Sequence, residues 1–400
     1  MKSDVLIAGG GMGGICAAII LSGAGKKVTI LERQERIGRK LMLTGSGKCN
    51  ISNADMSAAH FLSDMPEKTG KLIDAFGKDK AEEFLAELGI RLCEKNGFLY
   101  PVTRQASSVM DALRFKLEEN GADIVTDAFI NKLEKKDKHF ILHCEDGRSF
   151  TADKCILACG GSAGIYDEEN RNGYALAAAI GHRVYRPAPA LVQLVCEEEL
   201  KAIAGIRCDV GISLVEAGRT LAKQKGELQI SAGMFSGIPV FQLSRYIKNF
   251  KNTELIIDFL PYMTDETEIR KRYRNLCSRE LEKFFAGILN KNLAIFLIKR
   301  EGLKPSLKTS ELDENEVLEL IRAFKNQSFK LKNTNGFKNA QVSSGGIPLS
   351  EVSDRLESRI IPGLYIIGEM LNVCGECGGY NLHFAMASAH AAAEGLLCTE

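Results

Sequence analysis

Val5–Glu32 reads VLIAGGGMGGICAAIILSGAGKKVTILE, the most informative stretch of the chain. An apolar run, Val5–Ala8, meets a turn with Gly9, Gly11 and Gly14 at GxGxxG spacing. A helical segment to about Gly25 follows, then a second strand, Val28–Leu31, ending on Glu32. Gly9 permits the tight turn, Gly11 lets backbone approach a pyrophosphate, and Gly14 lets the helix pack close on the strand. Met12 and Gly13 open the helix, whose free N–H groups and positive dipole end favour an anion. Glu32, roughly 20 residues on, accepts hydrogen bonds from a ribose 2′-hydroxyl. An acid there disfavours a 2′-phosphate, so the unit predicts FAD or NAD rather than NADP.

Val5–Gly25 carries no charge, yet seven of its residues are Gly. That is too many breakers for a membrane span. The n-region, h-region and cleavage pattern of a signal peptide is not seen either. The 400 residues predict two or three domains with a sizeable core. With 45% hydrophobic and 26% charged residues and a net charge of +1, no global attraction to nucleic acid or membrane is expected. The 12 Cys are scattered, which reads as reduced thiols in a cytoplasm. Cys374 and Cys377 form the one CxxC, without a second pair or a matching His pair, so no metal site is predicted.

Beyond Glu32 lies a polar, Gly-rich strip, Gly38–Asn53. Helices are predicted over Asp79–Leu88 and Ser108–Asn120, each ending at a Gly. Ala122–Ala128 reads as a strand. Phe140–Cys144 and Ser149–Ala152 read as a hairpin around Asp146-Gly147. Lys154–Cys159 reads as a separate buried parallel strand, ending in Gly160-Gly161. After Arg186-Pro-Ala-Pro189 the text is strand-like to about Leu260. Pro261 then opens a helical block in which Asp265 with Glu268 resembles a capping box, and a further helix spans Asp313–Phe324. Pro362–Glu369 is a late apolar strand ending in Gly368-Glu369, before Gly378-Gly379 and a helix from about Tyr380 to Leu397. In flavoproteins with two dinucleotide-type units, such a strand supports the ribityl chain. The helix N-terminus behind it stabilises charge on the reduced ring by up to ~2 kcal/mol.

MKSDVLIAGGGMGGICAA, GRKLMLTGSGKCNISN, GELQISAGMFSGIPVFQLSR and PGLYIIGEMLNVCGECGGYNLHFAMASAHAA together resemble the BaiN-like flavoproteins. These are the bacterial NAD(FAD)-utilising dehydrogenase or aminoacetone-oxidase-like family. The match spans nearly the whole chain, and Thr44–Asn50 is its most specific part. The resemblance implies an α/β chain with a glutathione-reductase-type, Rossmann-like FAD domain from residues 1–187 and 336–400. A β-barrel-like domain over 188–260 and a small helical domain over 261–335 would be inserted. It puts Gly9, Gly11, Gly13 and Gly14 on the pyrophosphate and Glu32, flanked by Arg33, on the ribose. Arg39, Lys40, Gly47, Lys48, Cys49 and Asn50 would line the pyrophosphate-to-ring side, and the Phe129 backbone would meet adenine. Cys159-Gly160-Gly161 matches the usual Ala-Thr-Gly, while Gly368-Glu369 and Gly379-Tyr380-Asn381 would hold ribityl and ring.

Three departures stand out. Cys159 replaces a Thr, Ser231-Ala232 replaces a Thr followed by a polar residue, and Cys374 replaces an Asp. Cys374 and Cys377 are either a dithiol exchanging electrons with FAD or two small residues at a turn. Cys49 and Tyr380 are candidate proton donors, with a structural role as the alternative for each. Without a second GxGxxG, NADH or NADPH would dock transiently at the flavin face, or the substrate itself would supply electrons.

The implied activity is that of an FAD-dependent oxidoreductase. It would use NAD(P)H to reduce an activated C=C of enone type, or oxidise a small amino ketone. An alternative is a flavin-dependent reductase of RNA uridine. Residues 261–340 hold 16 Lys+Arg against 11 Asp+Glu, and Arg322–Lys338 sets Phe324, Phe329 and Phe337 among five basic residues. Such a pattern suits single-stranded RNA, or a solvated connector with buried Phe. A flavin-binding protein without turnover is the third class. Oligomeric state is not legible.

Overall fold

The computed structural model describes residues 2–164 and 172–398. The chain divides into two compact units, Met1–Ala190 with Gln341–Glu400, and Leu191–Ala340.

The first unit is built on a seven-stranded sheet. Its order is Asp123–Val125, Val28–Leu31, Lys2–Ala8, Ser149–Leu157, His139–Cys144, Ile130–Lys136, with Leu364–Ile366 as a further partner of Ser149–Leu157. Val28–Leu31 and Leu364–Ile366 are buried at every residue, as a strand covered on both faces must be. Ala8 pairs with Leu31 and Leu157, and Leu157 with Ile366, all in parallel. Four carboxyl ends therefore open on one edge of the sheet, where ligands of open α/β sheets sit. The two strands expected over 149–152 and 154–159 are one strand. Its first residues pair antiparallel with His139–Cys144, and Cys155–Leu157 pair with the late strand. The polar Asp153-Lys154 step marks a change of neighbours rather than a break.

Helices Lys78–Glu87 and Ala106–Glu119 lie within two residues of expectation, burying Ala81, Phe84 and Leu85 and Val109, Leu113 and Leu117. Helix Pro66–Ala75, which begins on a Pro suited to that position, was not legible in the sequence. Nor was the hairpin of Leu92–Lys95 with Phe98–Pro101. Strand Tyr185–Ala190 pairs with Val342–Gly346, so the chain leaves the unit and returns to it on neighbouring strands.

The second unit is a closed six-stranded barrel with helices. Its strands run in the order Leu194–Cys196, Met234–Ser236, Arg219–Ser231, Arg207–Glu216, Thr253–Asp258, Gln327–Thr334. Here the expected division at residue 260 is corrected. The closing strand, Gln327–Thr334, comes after the helical block, and barrel and helices share one hydrophobic core. Phe329 meets Phe235 at 5.0 Å and Phe324 meets Phe285 at 4.9 Å. Both Phe324 and Phe329 are fully buried, so neither can stack a base. Asp265 caps helix Glu266–Leu276 through the amide of Thr267, and Asp313 forms a capping box with Glu316 on helix Glu314–Phe324. Among the described residues no helix is long and apolar enough to cross a membrane, and no group of three His, Cys, Asp or Glu is placed to hold a metal.

Candidate functional site

The opening turn folds as its glycines require. Gly9 sits at φ +109°, and a Cβ there would meet the Ala158 carbonyl oxygen at 2.5 Å. A Cβ on Gly14 would collide with the Gly9 carbonyl, so this glycine sets how close helix Met12–Gly23 lies to its strand. Gly13 does the same toward helix Tyr380–Cys398, where a Cβ would stand 3.3 Å from the Ala385 carbonyl. Gly11 differs, having nothing within 4 Å of its Cβ position. No side chain caps the helix that starts at Met12, so its first amides face this open cradle.

Glu32 is set by its own neighbourhood. One carboxylate oxygen accepts the Gly10 amide at 2.8 Å and the other the Gln34 amide at 2.9 Å. Lone pairs remain on both oxygens for further donors. Beside it lies a narrow cleft walled by Gly9, Glu32, Arg33, Ala128, Cys159 and Gly161. Phe129 stands between two residues of that wall, and its carbonyl already accepts the Glu145 amide at 2.9 Å. The Cys159 thiol donates to the Ala8 carbonyl at 3.3 Å, so the sulfur that replaces a hydroxyl still ties two strands. Gly160, at φ +74°, has open space at its Cβ position, whereas a Cβ on Gly161 would strike the Glu369 carboxylate.

Glu369 gathers distant parts of the chain. Lys40 Nζ lies 2.6 Å from one oxygen, and the Ser343 amide donates to the other at 2.7 Å. Tyr174 donates to the Glu369 carbonyl at 3.0 Å. Ser343 Oγ in turn accepts the amides of Ser162 and Ala163 at 2.8 and 3.0 Å. The Gly368 amide donates to Ser388 Oγ at 2.9 Å. Tyr174, Ser343 and Ser388 carry no sequence signal that would have marked them. Arg39 is exposed and donates to Gln34. Gly47 (φ +83°) and Cys49 (φ +56°) bend the strip. Asn50, with its amide nitrogen turned toward them, donates to the carbonyls of Leu99 and Ser52. Lys48 is exposed.

The last helix sets the other end of the site. A Cβ on Gly379, at φ +92°, would run into the Ser52 backbone. Asn381 folds back on the turn before it, accepting the Gly375 amide at 2.9 Å and donating to the Gly375 carbonyl at 3.0 Å. Tyr380 is buried against His60, ring centroids 4.6 Å apart and nearly parallel. His60 escaped the sequence reading because a lone His has no periodicity. It bridges Asp55 at 2.9 Å and Glu376 at 3.0 Å. Burial disfavours its charged form, but those carboxylates outweigh burial and raise its pKa. Burial, with Asp55 and Glu376 nearby, also raises the Tyr380 phenol above its ordinary value. Burial pushes the Cys49 thiol up to about 11 against a hydrogen bond from Thr44. Both candidate donors thus hold their protons at neutral pH. Cys374 lies in strand Val373–Gly375, and Cys377 reaches Gln341 at 3.7 Å.

These residues fit FAD. The uncapped helix start and the open Gly11 position suit a pyrophosphate, Glu32 keeps acceptors that suit ribose hydroxyls, and Tyr380 opens a second helix whose N-terminus suits a ring gaining negative charge.

Known proteins agree with this reading. The chain is 38% identical over 398 residues to a 3-dehydro-bile acid delta(4,6)-reductase of Clostridium scindens, covering 96% of this chain and 97% of that protein. It is 28% identical to a ribosomal RNA dihydrouridine synthase of Haemophilus influenzae, covering 98% of each. Among solved structures, a 3-ketosteroid delta1-dehydrogenase from Sterolibacterium denitrificans has the same fold, with a TM-score of 0.53, 12% identity and full coverage of both chains. The chain is an FAD-dependent oxidoreductase with a Rossmann-type FAD-binding fold. Residues 3–395 match the family described as HI0933-like protein Rossmann domain, and the chain belongs to that family.

Proposed function

We propose that this protein reduces the activated C=C of a steroid-type enone with electrons from NADH or NADPH, and that it works in the cytoplasm. The observation that carries the reading is the 38% identity, over 96% of the chain, to a reductase of 3-dehydro-bile acids. When bound, FAD supplies the hydride relay between donor and substrate. The chain's own residues do the rest. Gly9, Gly11, Met12, Gly13 and Gly14 hold the pyrophosphate through backbone. Glu32, with Arg33 beside it, holds the adenosine ribose, and Gly160, Gly161 and the Phe129 backbone shape the adenine side. Lys40, held by Glu369, keeps the strip Arg39–Asn50 against the ribityl side. Gly368, Gly379 and the N-terminus of helix Tyr380–Cys398 favour negative charge on the ring. Tyr380, which holds its proton and stacks on His60, is the candidate proton source at this end, with Cys49 as the second. The first compact unit serves as the FAD domain.

Twelve free cysteines support a reducing compartment. The second reading is reduction of uridine in ribosomal RNA, favoured by the 28% identity across the whole chain to a dihydrouridine synthase.

The test is anaerobic reduction of the purified flavoprotein by NADH and by NADPH, then reoxidation. Reoxidation by a 3-oxo-Δ4 steroid acid, with saturation of the C=C, is the expected result. Reoxidation by unmodified ribosomal RNA alone selects the second reading. A polypeptide that is colourless and refuses FAD overturns both.

A further inference from the structure

Strand Phe98–Pro101 pairs with Ser52-Asn53, which continues from the Thr44–Asn50 strip. Between that hairpin and the strip lies a hollow of about 230 Å³ lined by Lys48, Lys95, Asn96, Phe98, Tyr100 and Arg104. Its composition is one-sided, with three cations, two aromatic rings, one amide and no carboxylate. Lys48, Lys95 and Arg104 are exposed, and among the described residues none of them is paired with an acid. Ladder alternation explains the sorting. Lys95 faces Phe98 and Cys93 faces Tyr100 on one side of the hairpin, while Glu94 and Leu99 take the other. Three like charges gathered without a counter-ion repel one another, and an anion relieves that repulsion.

The hollow adjoins the ring end of the site. Phe98 packs where a Cβ on Gly378 would be, its Cε1 only 2.7 Å from that position, and Gly379-Tyr380 follow at once. Asn53 Nδ2 donates to the Gly378 carbonyl at 3.0 Å, joining the strip to the same turn. Lys48 belongs to the strip itself.

We propose that this hollow is a nucleotide-phosphate subsite. Lys48, Lys95 and Arg104 take a phosphate, and the rings of Phe98 and Tyr100 take the flat base beside it. The nucleotide is that of the nicotinamide donor during its visit to the flavin. Cationic forks and lysines suit phosphate, and aromatic faces accept any base. The subsite explains how a chain with a single dinucleotide-binding turn accommodates a second nucleotide. This inference rests on the reductase reading above.

The test titrates adenosine 2′,5′-bisphosphate, 5′-AMP and inorganic pyrophosphate calorimetrically into the flavin-loaded protein. Wild type is compared with the double variant Lys95→Ala/Arg104→Ala and the charge-keeping Lys95→Arg. Steady-state KM values for NADPH and NADH are measured in parallel. The expected result is weaker bisphosphate binding and a higher KM for the dinucleotide in the double variant, each by about tenfold. The flavin spectrum and kcat should stay unchanged, Lys95→Arg should bind normally, and wild-type binding should weaken with salt. Unchanged bisphosphate binding in the double variant overturns the subsite. A raised KM for a nucleotide-bearing substrate, with the donor's KM unchanged, overturns the assignment to the donor. Failure of NADH and NADPH to reduce the bound flavin, with bisphosphate binding still weakened by the double variant, would instead strike the reductase reading, because probe binding to the hollow is read without turnover.

Discussion

A single methyl group means different things at Gly11 and Gly14. At Gly14 it would collide with the Gly9 carbonyl, so Gly14→Ala is expected to destabilise the protein by about 1–3 kcal/mol. At Gly11 the backbone is ordinary and the space open, so Gly11→Ala should fold normally but project into the pyrophosphate cradle. Flavin-free thermal unfolding together with FAD affinity separates the two: Gly11→Ala keeps its melting temperature and loses FAD. His383 offers a residue-scale pH dependence. It is fully buried, its Nε2 faces the Phe76 carbonyl at 2.8 Å and its Nδ1 faces Ser52 Oγ at 2.8 Å. A carbonyl only accepts, so Nε2 carries the proton and Nδ1 accepts from the serine. Burial, opposed by the Phe76 bond, lowers its pKa from 6.5 to about 4. The folded state therefore resists protonation that the unfolded chain permits. The stability tied to neutral His383 is complete above pH 6.5 and is lost as pH falls from there toward about 4. The loss is on the order of 3 kcal/mol. Denaturant titrations between those limits should show it, with the imidazole followed by NMR. A His383 titration near its ordinary value would contradict the assignment.

At the element level, the turn before helix Tyr380–Cys398, which the proposed function puts at the ring end, is held by the side chains of Asn381 and Asn53. Asn381→Ala removes both bonds to Gly375 and is expected to cost about 1–2 kcal/mol. It should also speed flavin release, since the helix start would no longer be fixed relative to Gly379. Unchanged release and an unchanged melting temperature would show that packing and the Asn53 bond to Gly378 suffice to hold the turn. The strands behave differently from this helix. Their carboxyl ends are aligned by unbroken parallel register, Ala8 with Leu31 and Leu157 and Leu157 with Ile366, so the phosphate end needs no such clamp.

At the scale of the molecule, the path of the chain separates two cores. Ala190 pairs with Val342 in the first unit, and Leu194 pairs with Thr334 in the second. Each unit therefore presents the two chain passages side by side, and each has its own hydrophobic cluster. Residues 191–340 expressed alone are expected to fold cooperatively, as circular dichroism with thermal unfolding would report. Residue 190 joined to 341 through a short Gly linker should give a protein that still binds FAD. A joined chain that is folded but does not take FAD would assign part of the cofactor site to the inserted unit.

The dinucleotide turn, the family and the cofactor are all written in local stretches of sequence. The glycines of that turn and Glu32 fall within a few tens of residues of one another, where turn geometry and helix start are local matters. The late Gly368-Glu369 strand was legible for the same reason. The rest came from long-range packing. It alone brought Glu369 to Lys40 and Ser343, set His60 under Tyr380, and placed Phe324 and Phe329 in a core rather than on a surface. It also carried Gln327–Thr334 back to close the barrel, which made one unit of two expected domains. Such pairings join residues far apart in the chain, and neither periodicity nor composition encodes which distant partner a lone histidine, serine or lysine will meet.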